Sequence, residues 1–242
     1  MNKYKNAFSL AEVLITMVVI GIITALITPV LLEKTNKQET IVKVKKVQEF
    51  LSDAINKYSV DNNCVNNLSK CSAFSGNANP TLAWNAFKPY LNTLKDCGIT
   101  TASGCFSTGI VYKRINSSLS GQLLDSTSFY KVIISNSMLF ALSDGTGNCS
   151  VSRSISGNTA LANTCADVKI DINGTNGPNQ WGRDLFEWRI LKDGTVVPTG
   201  SNDDTWKGCD PTSTDETGDS SGAPGTGVGC AAKILQENAV NY

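Results

Sequence analysis

The twenty residues from Val13 to Leu32 contain no charged side chain, and they follow a short leader in which Lys3 and Lys5 are the only charges. A bilayer core about 30 Å thick is crossed by about 20 apolar residues in helix, so this run is long enough to span it. A cleaved secretory peptide fits less well. It has an apolar core of about 7 to 15 residues and then a small-x-small site, whereas Leu26, Ile27, Val30 and Leu31 stand where small residues would be needed. The run is therefore expected to stay on the chain.

The residues around its start, Lys5-Asn6-Ala7-Phe8-Ser9-Leu10-Ala11-Glu12-Val13-Leu14-Ile15, resemble the class III signal of type IV prepilins and type II secretion pseudopilins. In that family a membrane peptidase cuts on the cytoplasmic side just before the Phe and methylates the new amino terminus, while the apolar helix remains as an assembly device. The resemblance implies cleavage between Ala7 and Phe8 and N-methylation of Phe8. One departure is that the family usually has Gly where this chain has Ala7. The resemblance is specific over residues 3–32, weaker over the next thirty, and architectural beyond.

Glu12 has two compatible readings. A carboxylate at the edge of an apolar span normally has a partner or a role; the resemblance implies that it pairs with the amino terminus of a neighbouring subunit and sets axial register. Read from the residues alone, Ser9-Leu10-Ala11-Glu12 is also an S-x-x-E capping box, and a negative charge suits the start of a helix. Further along, Gly21 lowers helix propensity and Pro29 removes a backbone donor, which makes Gly21 to Pro29 the weakest part of the span. In filaments of the resembling family this stretch can unwind; in a free subunit a mild kink is the alternative.

Beyond Leu32 the pattern becomes amphipathic. Ile41, Val44, Val47, Leu51, Ala54, Ile55 and Tyr58 recur at three- and four-residue intervals with lysines and acids between them, so one helix of about 50 residues, about 75 Å, is expected. Lys34, Lys37, Lys43, Lys45 and Lys46 follow the span, and flanking charge does not set the orientation. Cysteines speak to it better. Cys64, Cys71, Cys97, Cys105, Cys149, Cys165, Cys209 and Cys230 all follow the helix, are even in number and form no C-x-x-C pair, which favours an oxidising compartment over a zinc site. Eight cysteines allow roughly a hundred pairings and sequence does not select among them. Sequential pairing, 64–71, 97–105, 149–165 and 209–230, is the expectation taken here, each bond adding about 2 to 4 kcal/mol. The last would resemble the C-terminal disulfide loop of many type IV pilins.

About 180 residues remain for a head, enough for one core or two small lobes. With 21 basic and 21 acidic side chains, no net field steers the chain toward nucleic acid. A short helix is expected from Asn79-Pro80 through Phe87, and strands over 110–115, 129–134, 138–142, 168–172 and 185–191, the last turning through Lys192-Asp193-Gly194 into 195–197. Residues 203–229 read as a long loop, and 231–242 as a closing strand or an amphipathic helix. The fold class is thus α+β and pilin-like: a long N-terminal helix on an antiparallel sheet with long disulfide-bonded loops.

Catalytic readings fail on composition. Gly218-Asp219-Ser220-Ser221-Gly222 matches G-x-S-x-G, but it lies in a low-complexity stretch of a chain without histidine, so no Ser-His-Asp triad can form within it. No cofactor is expected, with one exception. Asp171-Ile172-Asn173-Gly174-Thr175-Asn176-Gly177-Pro178 offers oxygen ligands of the kind calcium takes, with Asp171 and Asn173 as candidates. It is not an EF-hand, because Gly174 comes too early and Gly182 stands where the bidentate Glu belongs. It resembles a Gly/Pro turn of pseudopilin-like sequences, some of which bind calcium; an Asx turn between two strands is the simpler reading.

The expectation is a structural subunit of a type IV pilus or type II secretion pseudopilus, not an enzyme. Residues 1–7 would be a leader, 8–32 a transmembrane assembly helix, 33–59 its amphipathic continuation and 60–242 the head. The resemblance implies identical or related subunits, the prepilin peptidase, an inner-membrane assembly platform and the lipid bilayer as partners. It also implies a bacterial inner-membrane location with the head in the periplasm before incorporation. A rival class is a monomeric signal-anchored protein whose head binds an extracytoplasmic ligand.

Overall fold

The structure is a computed structural model that describes residues 9–76, 79–116, 122–144, 147–151, 161–201, 207–212 and 225–242. Its first element is the helix α1, Leu10–Asp61, and the chain divides into two units, residues 1–39 and 40–242.

In the first unit the described residues are helical from Leu10 onward, and the apolar side chains of the span are exposed, Leu26 and Val30 at 68% each. By length and composition this helix can cross a membrane. Pro29 is accommodated inside it. Threonine hydroxyls bond back to carbonyls of the preceding turn, Thr24 Oγ1 to Ile20 O at 2.8 Å and Thr28 Oγ1 to Thr24 O at 2.7 Å. Such back-bonding satisfies the hydroxyls where no water or partner is at hand.

The second unit is built on the remainder of α1. Ile41, Val44, Val47, Leu51, Ala54, Ile55 and Tyr58 are all buried, the stripe that their spacing predicts. They face a six-stranded antiparallel sheet made of β1 (Thr93–Gly98), β4 (Tyr130–Ile134), β5 (Leu139–Asp144), β6 (Thr164–Asp171), β7 (Leu185–Leu191) and β8 (Val196–Pro198), in the order β1-β4-β5-β6-β7-β8. The register aligns Val132, Phe140, Ile170 and Phe186 across neighbouring strands, and Leu142, Val168 and Trp188 in the next row. Because side chains alternate in a strand, these residues share one face and join the α1 stripe in a single core. Gln48 fastens the two layers: its Nε2 donates to Val196 O at 2.8 Å, and its Oε1 accepts from Trp188 Nε1 at 2.9 Å.

A short helix α2, Pro80–Trp84, begins where Asn79 Oδ1 accepts from the Thr81 and Leu82 amides. It ends three residues before Phe87, the expected end, and the chain goes on in tighter turns, with the Asn85, Ala86 and Phe87 amides donating to carbonyls three residues back. Trp84 then stacks on Tyr130, with centroids 5.6 Å apart. The opposite face of the sheet carries a second apolar cluster, Leu139, Ala141 and Leu185 with Tyr112, Leu124, Phe129, Trp181 and Val228.

Several expected elements shift. The strand expected over 110–115 is only β2, Val111–Tyr112, paired with β3, Gln122–Leu123. Beyond Tyr112 the backbone bonds to loops instead, Lys113 N to Asn179 O and Ile115 N to Thr226 O. β1 was not expected, since charged Lys95 and Asp96 interrupt its pattern. The C-terminal segment takes its helical alternative, α3, Cys230–Glu237, closed by Asn238 in left-handed geometry. Residues 185–191 and 196–198 form the hairpin, with Gly194 at φ +90° in its turn. Part of the 203–229 loop, including the G-x-S-x-G match, lies outside the described residues.

Candidate functional site: the N-terminal segment and the polar centre of the head

At the start of α1 the S-x-x-E box closes. Ser9 N donates to Glu12 Oε2 at 2.8 Å, Ser9 Oγ donates to the same oxygen at 2.9 Å, and Glu12 N donates to Ser9 Oγ at 3.3 Å. This answers two of the free amides at the helix start and fixes the direction of the Glu12 side chain. The carboxylate is solvent-exposed and its Oε1 takes no part in the box. Ala7 and Phe8, the expected cleavage pair, lie outside the described residues. Gly21 and Pro29 both lie within the continuous helix, and a Cβ on Gly21 would meet nothing within 4 Å.

The head carries titratable groups on the sheet face turned from α1. Lys169, Glu187, Asp167 and Arg189 are all at most 6% exposed. Lys169 Nζ lies 2.7 Å from Glu187 Oε1, Arg189 pairs with Asp167 and, at 3.1 Å, with Glu187, and Thr199 Oγ1 donates to Glu187 at 3.3 Å. Two cations thus face two anions. Nearby, Lys131 is fully buried and donates to Asp125 Oδ1 at 3.3 Å and Ser126 O at 2.9 Å. Burial alone would raise the Asp125 pKa, but the Ala102 amide, Lys131 and Thr108 outweigh it and hold the carboxyl below its usual range. The sequence pattern did not reveal these pairs. Alternating charges in a strand read as a solvated face, and only the loops folded over that face bury them.

Asp171 and Asn173 take the Asx-turn arrangement. Asp171 Oδ1 accepts from Asn173 N at 3.0 Å, and Oδ2 accepts from Tyr112 OH at 2.6 Å. Burial, assisted by the charge of Asp184, pushes the Asp171 carboxyl up to about 7 against the opposing pull of Tyr112 and the Asn173 and Gly174 amides. Asp184 is raised by burial as well, although it accepts from the Gln180 and Asn179 amides. These two carboxylates anchor both ends of the 172–184 loop. Among the described residues no group of three or more His, Cys, Asp or Glu could hold a metal ion.

Four disulfides tie the head: Cys64–Cys71, Cys97–Cys105, Cys149–Cys165 and Cys209–Cys230. Around the last, chain segments meet at backbone distance. A Cβ on Gly182 would lie 2.6 Å from Cys230 Sγ, one on Gly200 2.7 Å from Gly229 Cα, and one on Gly227 2.6 Å from Trp181 O.

Residues 2–28 match the family model of the prokaryotic N-terminal methylation motif. No curated protein and no solved structure matches the chain. With its apolar helix, capped start and disulfide-bonded α+β head, the chain carries the prepilin-type signal of type IV pilins and pseudopilins.

Proposed function

We propose that the chain is a structural subunit of a type IV pilus or type II secretion pseudopilus, delivered to the bacterial inner membrane with its head in the periplasm. The observation that carries this reading is the methylation-motif match over residues 2–28, which runs from the basic leader into the uncharged helical span. The peptidase removes residues 1–7 and methylates Phe8; the span from Phe8 to Leu32 then serves as anchor and, after extraction, as the filament contact. Residues 33–59 join that helix to the head, 60–242.

Within this reading Glu12 offers its carboxylate to the methylated amino terminus of a neighbouring subunit, which a charge inside an apolar bundle requires. Gly21 to Pro29 supplies a stretch that can unwind under packing or load. The protein acts by assembly and not by catalysis, with like subunits, the prepilin peptidase and an inner-membrane platform as its partners.

N-terminal sequencing and intact mass of the mature protein test the reading. N-methylated Phe8 is the expected terminus. An intact Met1, or a cut beyond Leu32, would overturn it, and Ala7→Gly should process at least as completely as the natural sequence.

A further inference from the structure

Three of the four disulfides are buried at both ends. Cys64, Cys71, Cys149, Cys165, Cys209 and Cys230 are each at most 2% exposed. In the fourth, Cys105 is 2% exposed but Cys97 is only half-buried. Cys97 also lies in β1, the outermost strand at one edge of the sheet, whose strand partner among the described residues is β4. The pairing with β4 shifts register twice, between Thr93 and Lys95 and between Asp96 and Gly98, so Cys97 falls inside the second irregularity.

These features decide which bond can react. Thiol–disulfide exchange requires a thiolate to reach one sulfur in line with the bond that breaks, so access and local opening select the bond. Opening at a bulged edge strand costs far less than opening a core. The six buried sulfurs become accessible only when larger parts of the head unfold.

We infer that Cys97–Cys105 is the exchange-competent disulfide of the head, attacked at Cys97 Sγ by a small thiol or by the active-site thiol of a dithiol oxidoreductase. The incoming thiolate forms a bond to Cys97 Sγ; the Cys97–Cys105 bond breaks and its electron pair leaves on Cys105 Sγ, which then takes a proton from solvent. A second thiolate attacking the mixed disulfide releases a disulfide of the two thiols and leaves both cysteines reduced, so two thiols are oxidised for one disulfide reduced. The Lys95 ammonium on β1 donates to Gly104 O at 3.1 Å and so places a positive charge against the residue next to Cys105, which favours the departing thiolate.

The break stays local. Ala102 N donates to Asp125 Oδ2 at 2.9 Å and Lys131 Nζ reaches Ile99 O at 3.4 Å, contacts that do not pass through the disulfide and tie the 98–105 loop to the buried Asp125–Lys131 pair.

The test uses the full chain in detergent, exposed without denaturant to reduced glutathione, quenched with iodoacetamide at intervals and mapped by peptide mass. Cys97 and Cys105 should become alkylated at least ten times faster than the other six cysteines, with the glutathione adduct on Cys97. First thiols at another pair, all eight appearing together, or an adduct on Cys105 would each overturn the inference. In the Cys97→Ser/Cys105→Ser double variant the other six should stay as protected as in the natural chain; their exposure would show that opening there is not local and would equally overturn it.

Discussion

Ser9 and Glu12 hold each other at the head of α1, the serine giving both its amide and its hydroxyl to one carboxylate oxygen while its hydroxyl oxygen accepts the Glu12 amide. The pair leaves the second carboxylate oxygen outside the box. One side chain can therefore close the helix start in a lone subunit and still present a charge to another.

Glu12→Gln separates these roles, because glutamine still suits the box. If the charge meets a neighbour's amino terminus, the change weakens a charge-assisted contact of about 1.5 to 3 kcal/mol at each subunit joint. Filament incorporation should collapse while membrane insertion, cleavage and head folding persist. Incorporation at the natural level, measured in sheared surface fractions, would leave Glu12 only its capping role.

The buried ionic set predicts a large local penalty. Glu187 accepts from Lys169, Arg189 and Thr199, so Glu187→Ala removes the carboxylate that the buried Lys169 and Arg189 share. Breaking a buried pair by removing one partner costs about 3 to 5 kcal/mol. Denaturant unfolding of the oxidised head should lose stability by that amount; a loss below about 1 kcal/mol would mean that water reaches the set.

Asp171 gives the head a pH dependence of definite sign. Its carboxyl is pushed up to about 7 when folded, whereas an unfolded aspartate ionises near pH 4. Between those values the folded chain binds the extra proton, so stability falls as pH rises from about 4 to about 7. Asp171→Asn should flatten most of that slope, leaving the part due to Asp184, which is also raised. Thermal melts of both proteins across this window provide the comparison, and an unchanged slope would acquit Asp171.

Gly200 combines φ +91° with a missing Cβ that would lie 2.7 Å from Gly229 Cα. Gly200→Ala therefore meets both a strained backbone and a backbone obstacle, and about 2 to 4 kcal/mol of stability should be lost. Gly194→Ala, at φ +90° but with open space around it, should cost only the backbone term. Equal losses in the two variants would show that the contact with Gly229 yields.

The division between what was and was not legible in the chain follows burial. The spacing of Ile41 to Tyr58 marks the buried stripe of α1, and the apolar, β-branched and aromatic residues of 129–134 and 185–191 mark two interior strands. β1 was hidden because Thr93-Leu94-Lys95-Asp96-Cys97-Gly98 lies at an edge, where neither face must be apolar. Asp167, Lys169, Glu187 and Arg189 were not legible as a buried set. Their alternation resembles a water-facing row, and nothing in their own segments shows that distant loops will cover it. The Ser9–Glu12 box was readable because all its atoms come from four consecutive residues.

The four disulfides join cysteines only 7, 8, 16 and 21 positions apart, and each bond closes before the next begins. In chain order, both members of one pair therefore come before the first member of the following pair. Joining each cysteine to the last one still unpaired reproduces the whole native set. In such an order each native bond can form between the nearest unpaired cysteines, ahead of any later cysteine that could compete for either sulfur.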